Sequence, residues 1–551
     1  MSGPEDLTGR LTAAITRIVS QTNGITLEDT LDLMLQSDLS TEDPPVHAAI
    51  GEFRDDLFAF QMDRRRGMAI RQLLDHPFSQ ALSRFFSRFP IPYREEHSHL
   101  TGALDPSFIF PRLISALEGP GSDAVKTQID RVYGSGSAAG IRNLRDVENM
   151  VRLKDDEHFE RYLKILLLPK LILTSRQAHE EAAYHLAKDL ATKFNIGYIR
   201  LKFTLSRATS DHSEQIPGSG TLSSEDIALG LYQGFKRFQD ERQSQGQSFS
   251  FILSPCFRKE SEFYDHSSFP DKRSHTQSQV DEILELRKNH PCLIPHLREV
   301  DTVGDERAFY RKRHFNEMYA AFRKLQYYGF QIRSHHGETW NCLRHGIQAV
   351  DNAMNIWNIN ALEHGVSLGI NPNYYFHSLL QRMLKRNEQG RGARPGSLEY
   401  NELRDMIWNG KEEVAEKLIR GEPLNANDRR NFTKAKFHTA TEREHYQHDV
   451  LNRMIHKGVS LMSLPSSNYK LTNYFQDYKD HPFSWWEKKG LKLGVGTDNY
   501  ITLDTNFLQE MLILLYTDPT GLKITKLLMV TTGETRRPYI SHLLWEMNRD
   551  L

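Results

Sequence analysis

Glu96-His97-Ser98-His99-Leu100-Thr101-Gly102 sets two histidines two residues apart, just before the turn-forming run Gly102-Ala103-Leu104-Asp105-Pro106. Side chains along a β-strand alternate with period two, so His97 and His99 point to one face and are presented where the strand stops. A fixed imidazole pair of this kind is half of a zinc site. His-x-His also arises by chance, and the rest of the chain decides between the two readings.

Working outward, strand-like runs recur between helix-prone segments. After the first strand they fall at residues 196–203, 249–254, 293–303, 329–335, 356–364, 459–464 and 491–498. A helix follows the second run, capped by Ser223 with Asp226 at the capping-box offset, and another spans about 315–328. Strands alternating with helices imply a parallel α/β architecture, here a TIM-like (β/α)8 barrel, with a doubly wound open sheet as the alternative. Upstream, Leu7, Leu11, Ile15 and Val19 recur at helical spacing, and residues 25–35 resume it after Asn23-Gly24. The expected layout is an N-terminal helical region over 1–89 and a barrel over 90–551. A helical insertion at about 370–455 breaks the rhythm between strands six and seven. It leaves from a βα position, which puts it near the pocket mouth or at a subunit interface. The glycines of residues 134–140 have the wrong spacing for a dinucleotide loop and read as a flexible connection.

Composition narrows the function. The 551 residues carry 70 basic and 71 acidic side chains, so no basic field invites nucleic acid. Three dispersed cysteines argue against a disulfide framework or a cysteine zinc cluster. No apolar run reaches membrane-spanning length, and the acidic N-terminus lacks a signal h-region. These features lead us to expect a cytoplasmic protein.

The residues able to do chemistry fall at the ends of the inferred strands: His97 and His99 on the first, His335 on the fifth, His364 on the sixth, Asp498 on the eighth. A barrel gathers such ends into one mouth. Three imidazoles and a carboxylate suit Zn²⁺.

On these residues the chain resembles the adenosine deaminase family of metal-dependent amidohydrolases. Glu96-His97-Ser98-His99-Leu100-Thr101-Gly102-Ala103 is similar to its E-L-H-x-H-L-[DN]-G motif. Ser334-His335-His336-Gly337-Glu338 is similar to H-A-G-E, and Leu362-Glu363-His364-Gly365 to I-G-H-G. Asp301-Thr302-Val303-Gly304-Asp305-Glu306 resembles D-L-x-G-x-E, Pro465-Ser466-Ser467-Asn468 resembles C-P-x-S-N, and Thr497-Asp498-Asn499 resembles T-D-D. The motifs run in family order from about residue 90 to 520.

The resemblance implies one zinc per chain held by His97, His99, His335 and Asp498. It implies Glu338, His364 and Asp498 as catalytic residues: Glu338 protonates purine N1, His364 serves as base or orienter, and Asp498 accepts a hydrogen bond while water adds at C6 and ammonia leaves. Thr101, Gly304 and Asn499 are the implied substrate contacts. No lysine occurs between Leu293 and Gly304, which disfavours the related two-metal enzymes. Neither is the H-x-E…P-C-x-x-C deaminase signature present.

The chain departs from the pattern at four positions. Asn499 replaces a second Asp. Thr101 replaces the Asp that meets a ribose 5′-hydroxyl. Glu363 replaces a glycine, and Leu464 a cysteine. Thr101 favours a 5′-phosphorylated adenine substrate, (deoxy)AMP above the triphosphate. Lys202, Arg207 and Arg333 are candidates to meet the phosphate, and an exposed surface role fits each of them equally. Two other readings stand beside deamination of an adenine nucleoside or nucleotide. One is a catalytically weak assembly or sensor subunit, the other a different hydrolase on the same barrel. Partners consistent with the resemblance are a second copy of the chain or a partner protein in a bacterial anti-phage system.

Overall fold

In a computed structural model, residues 4–21, 43–62, 69–154, 157, 159–205, 216–218, 220, 222–472, 474–475, 477–517, 524–536, 539–540, 542–543 and 546–547 are described. The expected helix at 25–35, Arg207 and most of the 206–222 loop lie outside these residues.

Eight strands run in chain order: β1 (Tyr93–His99), β2 (Ile196–Phe203), β3 (Ser250–Arg258), β4 (Glu299–Val303), β5 (Gln331–His336), β6 (Ala361–His364), β7 (Ser460–Ser463) and β8 (Leu493–Val495). Each pairs in parallel with the next. Beyond β8 the chain returns to β1: Asp498 N–H donates to His97 O at 2.9 Å and His99 N–H to Asp498 O at 2.8 Å. Buried Glu95 secures the seam, accepting from Thr497 Oγ1 at 2.6 Å and from Tyr500 Oη at 2.5 Å. The sheet is therefore a (β/α)8 barrel rather than an open sheet, and it closes at the residues expected to carry the chemistry.

Parallel pairing demands crossovers, which helices such as Arg176–Phe194, Ser224–Ser244 and Lys272–Asn289 supply. The Ser223/Asp226 capping box forms as expected, with Asp226 N–H donating to Ser223 Oγ at 3.0 Å and Ser223 N–H to Asp226 Oδ2 at 3.1 Å. Several boundaries differ from the sequence expectation. The run at 293–303 pairs only from Glu299, because Pro291–Leu293 forms a 3₁₀ turn and Pro295 has no N–H to donate. Ile356 and Trp357 end a helix, after which Asn358 turns left-handed (φ 53°), and β6 begins at Ala361. The 134–140 connection is tied down by Asp130, whose carboxylate accepts from Gly136 N–H at 3.0 Å and Ala138 N–H at 2.8 Å.

Helices Pro44–Met62 and Pro77–Ser87 pack on helix Phe507–Thr517 beyond β8, through a 5.3 Å Phe53–Tyr516 ring contact and a 2.7 Å Ser79 Oγ–Tyr516 Oη bond. Between β6 and β7, helices Pro372–Glu388, Leu398–Asp405, Glu412–Arg420 and Ala426–Lys457 form the interruption anticipated from the sequence. They grip the loop after β5: Leu343 N–H donates to Glu402 Oε1 at 2.6 Å, and Trp340 Nε1–H to Tyr375 Oη at 3.2 Å. Among the described residues, no helix is long and apolar enough to cross a membrane.

Candidate active site

The strand ends bring four side chains to one point. His97 Nε2 and His99 Nε2 lie 3.2 Å apart, and His99 Nε2 and His335 Nε2 3.3 Å apart. Asp498 Oδ1 is 3.5 Å from His99 Nε2 and 3.8 Å from His97 Nε2. A tetrahedral zinc site with bonds of about 2.0–2.2 Å has edges of roughly 3.3–3.6 Å, so the spacing fits.

Protonation supports the same reading. Glu363 Oε2 lies 2.6 Å from His97 Nδ1, and Asp301 Oδ1 3.1 Å from His335 Nδ1. Burial acts to raise the Glu363 pKa, but Arg333, Lys202 and His97 hold it well below the usual carboxylate range. An ionised carboxylate only accepts, so His97 Nδ1 carries the proton and its Nε2 is a bare lone pair. Asp301, ion-paired to Lys202 through its other oxygen, orients His335 in the same way. One proton on His99 Nε2 satisfies only one of these two neighbours. Two imidazole lone pairs thus face each other across His99 in a buried pocket, an arrangement a cation resolves. Burial also drives the proton affinities of His97 and His335 well below normal, and that of His99 to about 3, so all three are the neutral ligand form.

Beside this cluster stand an acid and a base. Glu338 is 5% exposed, and burial lifts its pKa to about 7, keeping a protonated population at neutral pH. Its backbone is fixed by Glu306, whose carboxylate accepts the N–H groups of Gly337, Glu338 and Thr339 at 3.0, 2.6 and 2.7 Å. His364 Nδ1 lies 2.9 Å from Asn468 Oδ1, so it donates there and leaves Nε2 open, 3.8 Å from Glu338 Oε2. Ser467 Oγ donates to Asp498 Oδ2 at 2.5 Å. His364 and Asp498 both adopt φ 65°, left-handed backbone that costs an L-residue about 1–2 kcal/mol. Such strain is held where surrounding contacts over-determine the geometry.

The expected substrate contacts are less uniform. Thr101 is half-buried in the short helix Leu100–Ala103 that begins right after His99. Gly304 turns left-handed at φ 105° beside the Glu260 carboxylate. Asn499 is fully buried, and its Nδ2 donates to Tyr162 Oη and, at 2.6 Å, to Asp498 Oδ1. Its carboxamide fills the space where a Cβ on Gly102 would sit, 1.5 Å from Oδ1, so position 102 admits no side chain. Lys202 and Arg333 are not free to meet a phosphate. They are 0% and 3% exposed and bound to carboxylates inside the barrel.

Four residues gain roles that their motifs alone did not suggest. Glu363, Asp301, Ser467 and Asn468 each contact one of the converging side chains or His364. Ser467 and Asn468 lie in the Pro465-Ser466-Ser467-Asn468 segment, and Glu363 directly precedes His364, so the signal was their adjacency to motif residues.

No family model matches the chain, and no curated protein matches it. Among solved structures it is similar to an adenine deaminase from Arthrobacter aurescens, at 12% identity over 83% of this chain and 99% of that one, with a TM-score of 0.45. It is similar also to arabidopsis ADAL complexed with GMP, at 14% identity over 84% and 97% of the two chains and a TM-score of 0.47. A third is an amidohydrolase from Burkholderia ambifaria with bound Zn, at 13% identity over 84% and 93%, with a TM-score of 0.45.

Proposed function

We propose that the chain is a zinc-dependent hydrolase that deaminates an adenine nucleotide, (deoxy)AMP foremost, to the hypoxanthine nucleotide and ammonia. The observation that carries this reading is the convergence of His97, His99 and His335, with Asp498 Oδ1 3.5 Å from His99 Nε2 and with Glu338 and His364 beside them. When bound there, Zn²⁺ supplies a Lewis acid that makes water a nucleophile at neutral pH. Glu338, as the carboxylic acid, donates its proton to purine N1, drawing electrons from C6 as water adds. His364 Nε2, open because Nδ1 is committed to Asn468, takes a proton from the attacking water and returns it to the departing amine. Ammonia leaves, the C6 hydroxyl gives up its remaining proton as the carbonyl forms, and that proton restores Glu338 to its acid form. A subunit with no chemistry to perform has no need of the Glu338 carboxyl held beside an open His364 imidazole next to the converging side chains.

Thr101 supports the nucleotide. A carboxylate beside a 5′-phosphate costs roughly 1 kcal/mol per charge pair at about 4 Å in water, and several times that at an effective dielectric of about 20. Threonine removes that charge and offers a hydroxyl to a phosphate oxygen. Comparison of kcat/KM for adenosine, deoxyadenosine and their mono- and triphosphates tests this, with the monophosphates expected highest. Thr101→Asp is expected to lose nucleotide activity far more than nucleoside activity. A wild-type preference for either nucleoside over every matching nucleotide rejects the assignment.

A further inference from the structure

One lysine stands behind the two carboxylates that orient the histidines. Glu363, on β6, gives Oε2 to His97 and Oε1 to Lys202 Nζ at 3.1 Å and Arg333 Nε at 2.5 Å. Asp301, on β4, gives Oδ1 to His335 and Oδ2 to the same Lys202 Nζ. Lys202, on β2, Asp301 and Glu363 are all 0% exposed. The ammonium therefore bridges the only partners that the His97 and His335 Nδ1 atoms have among the described contacts. Lys202 and Arg333 balance Asp301 and Glu363 in charge, so the cluster is neutral without drawing on the imidazoles.

We propose that Lys202 is a positioning residue of the metal centre, holding Glu363 and Asp301 so that His97 and His335 present Nε2 together, and thereby setting the affinity for Zn²⁺. This rests on the metal centre of the proposed function and not on its substrate. Without the shared ammonium, Glu363 keeps Arg333 and Asp301 keeps the Thr302 N–H at 2.7 Å, but each loses a buried counter-charge in a dry interior and turns toward the donor that remains. Both imidazoles then lose the contact that fixes ring and tautomer. Loss of such outer contacts typically weakens metal binding about 10–100-fold. A network that serves only the barrel predicts something else: a lower melting temperature and unchanged zinc affinity in the protein that remains folded.

The test is the Zn²⁺ dissociation constant by chelator competition, with the melting temperature of each metal-free protein, for wild type, Lys202→Met, Glu363→Gln and the charge-balanced double variant. Glu363→Gln is expected to bind zinc about 10–100-fold more weakly. Lys202→Met is expected to be weaker still, because two imidazoles lose support, and the double variant no better than Lys202→Met. If Lys202→Met does not fold, Glu363→Gln and the double variant decide, since each preserves volume or charge balance. Folded variants that hold zinc within about threefold of wild type, a spread too small for the roughly 10-fold minimum of a lost outer contact, overturn the proposal. Wild type that binds no zinc removes the metal centre and this inference together. Tight wild-type binding with weakened variants, but no deamination of any adenine compound, removes the substrate reading and upholds the inference.

Discussion

Glu338→Gln is expected to lower kcat about 10²–10⁴-fold while zinc content and melting temperature stay at wild-type values. The substitution changes no ligand and almost no volume, and the Glu306 bonds that fix residue 338 run to backbone N–H groups that Gln retains. The amide cannot deliver a proton to purine N1. The same residue sets the direction of the pH dependence. Burial raises the Glu338 pKa to about 7, and in the proposed mechanism the acid form is the active one. Wild-type turnover should therefore fall as pH rises through that value, and this limb should vanish from the residual activity of the variant. Steady-state rates between pH 5 and 9 check both points. Wild-type turnover in Glu338→Gln removes Glu338 from the mechanism.

His335→Ala is expected to lose metal and activity together. It deletes one of the converging nitrogens, 3.3 Å from His99 Nε2, and frees the Asp301 oxygen that oriented it. Zinc measured on the purified protein should drop from about one per chain to near zero. His97→Ala, His99→Ala and Asp498→Ala should behave alike. Full zinc content in His335→Ala would show that the ion sits elsewhere.

The fold and the centre of the site were largely legible because both depend on short-range patterns. The expected strand 196–203 matches β2 at both ends, and Asn195, turning left-handed, closes the helix just before it. The strand-end histidines were legible because a barrel makes strand ends neighbours. What the sequence hid are contacts between strands. Glu363 reads as an unexplained departure until β6 is laid beside β5 and across from β1, where its carboxylate meets His97, Lys202 and Arg333. Lys202 and Arg333 looked like phosphate-binding candidates because a charged residue near a strand end is usually exposed. Burial in a counter-charged barrel interior is a tertiary fact that no local pattern carries. The expected sixth strand began too early for the same reason: Ile356 and Trp357 belong to a helix end packed on the barrel.

The most direct measurement incubates the purified, zinc-loaded protein with adenosine, deoxyadenosine and their mono- and triphosphates, following loss of adenine absorbance and release of ammonia. The proposed deamination predicts one ammonia per adenine consumed, a hypoxanthine product, fastest conversion of the monophosphates, and no reaction in Glu338→Gln beyond its small residual rate. Stoichiometric zinc with no ammonia from any of these compounds would contradict it.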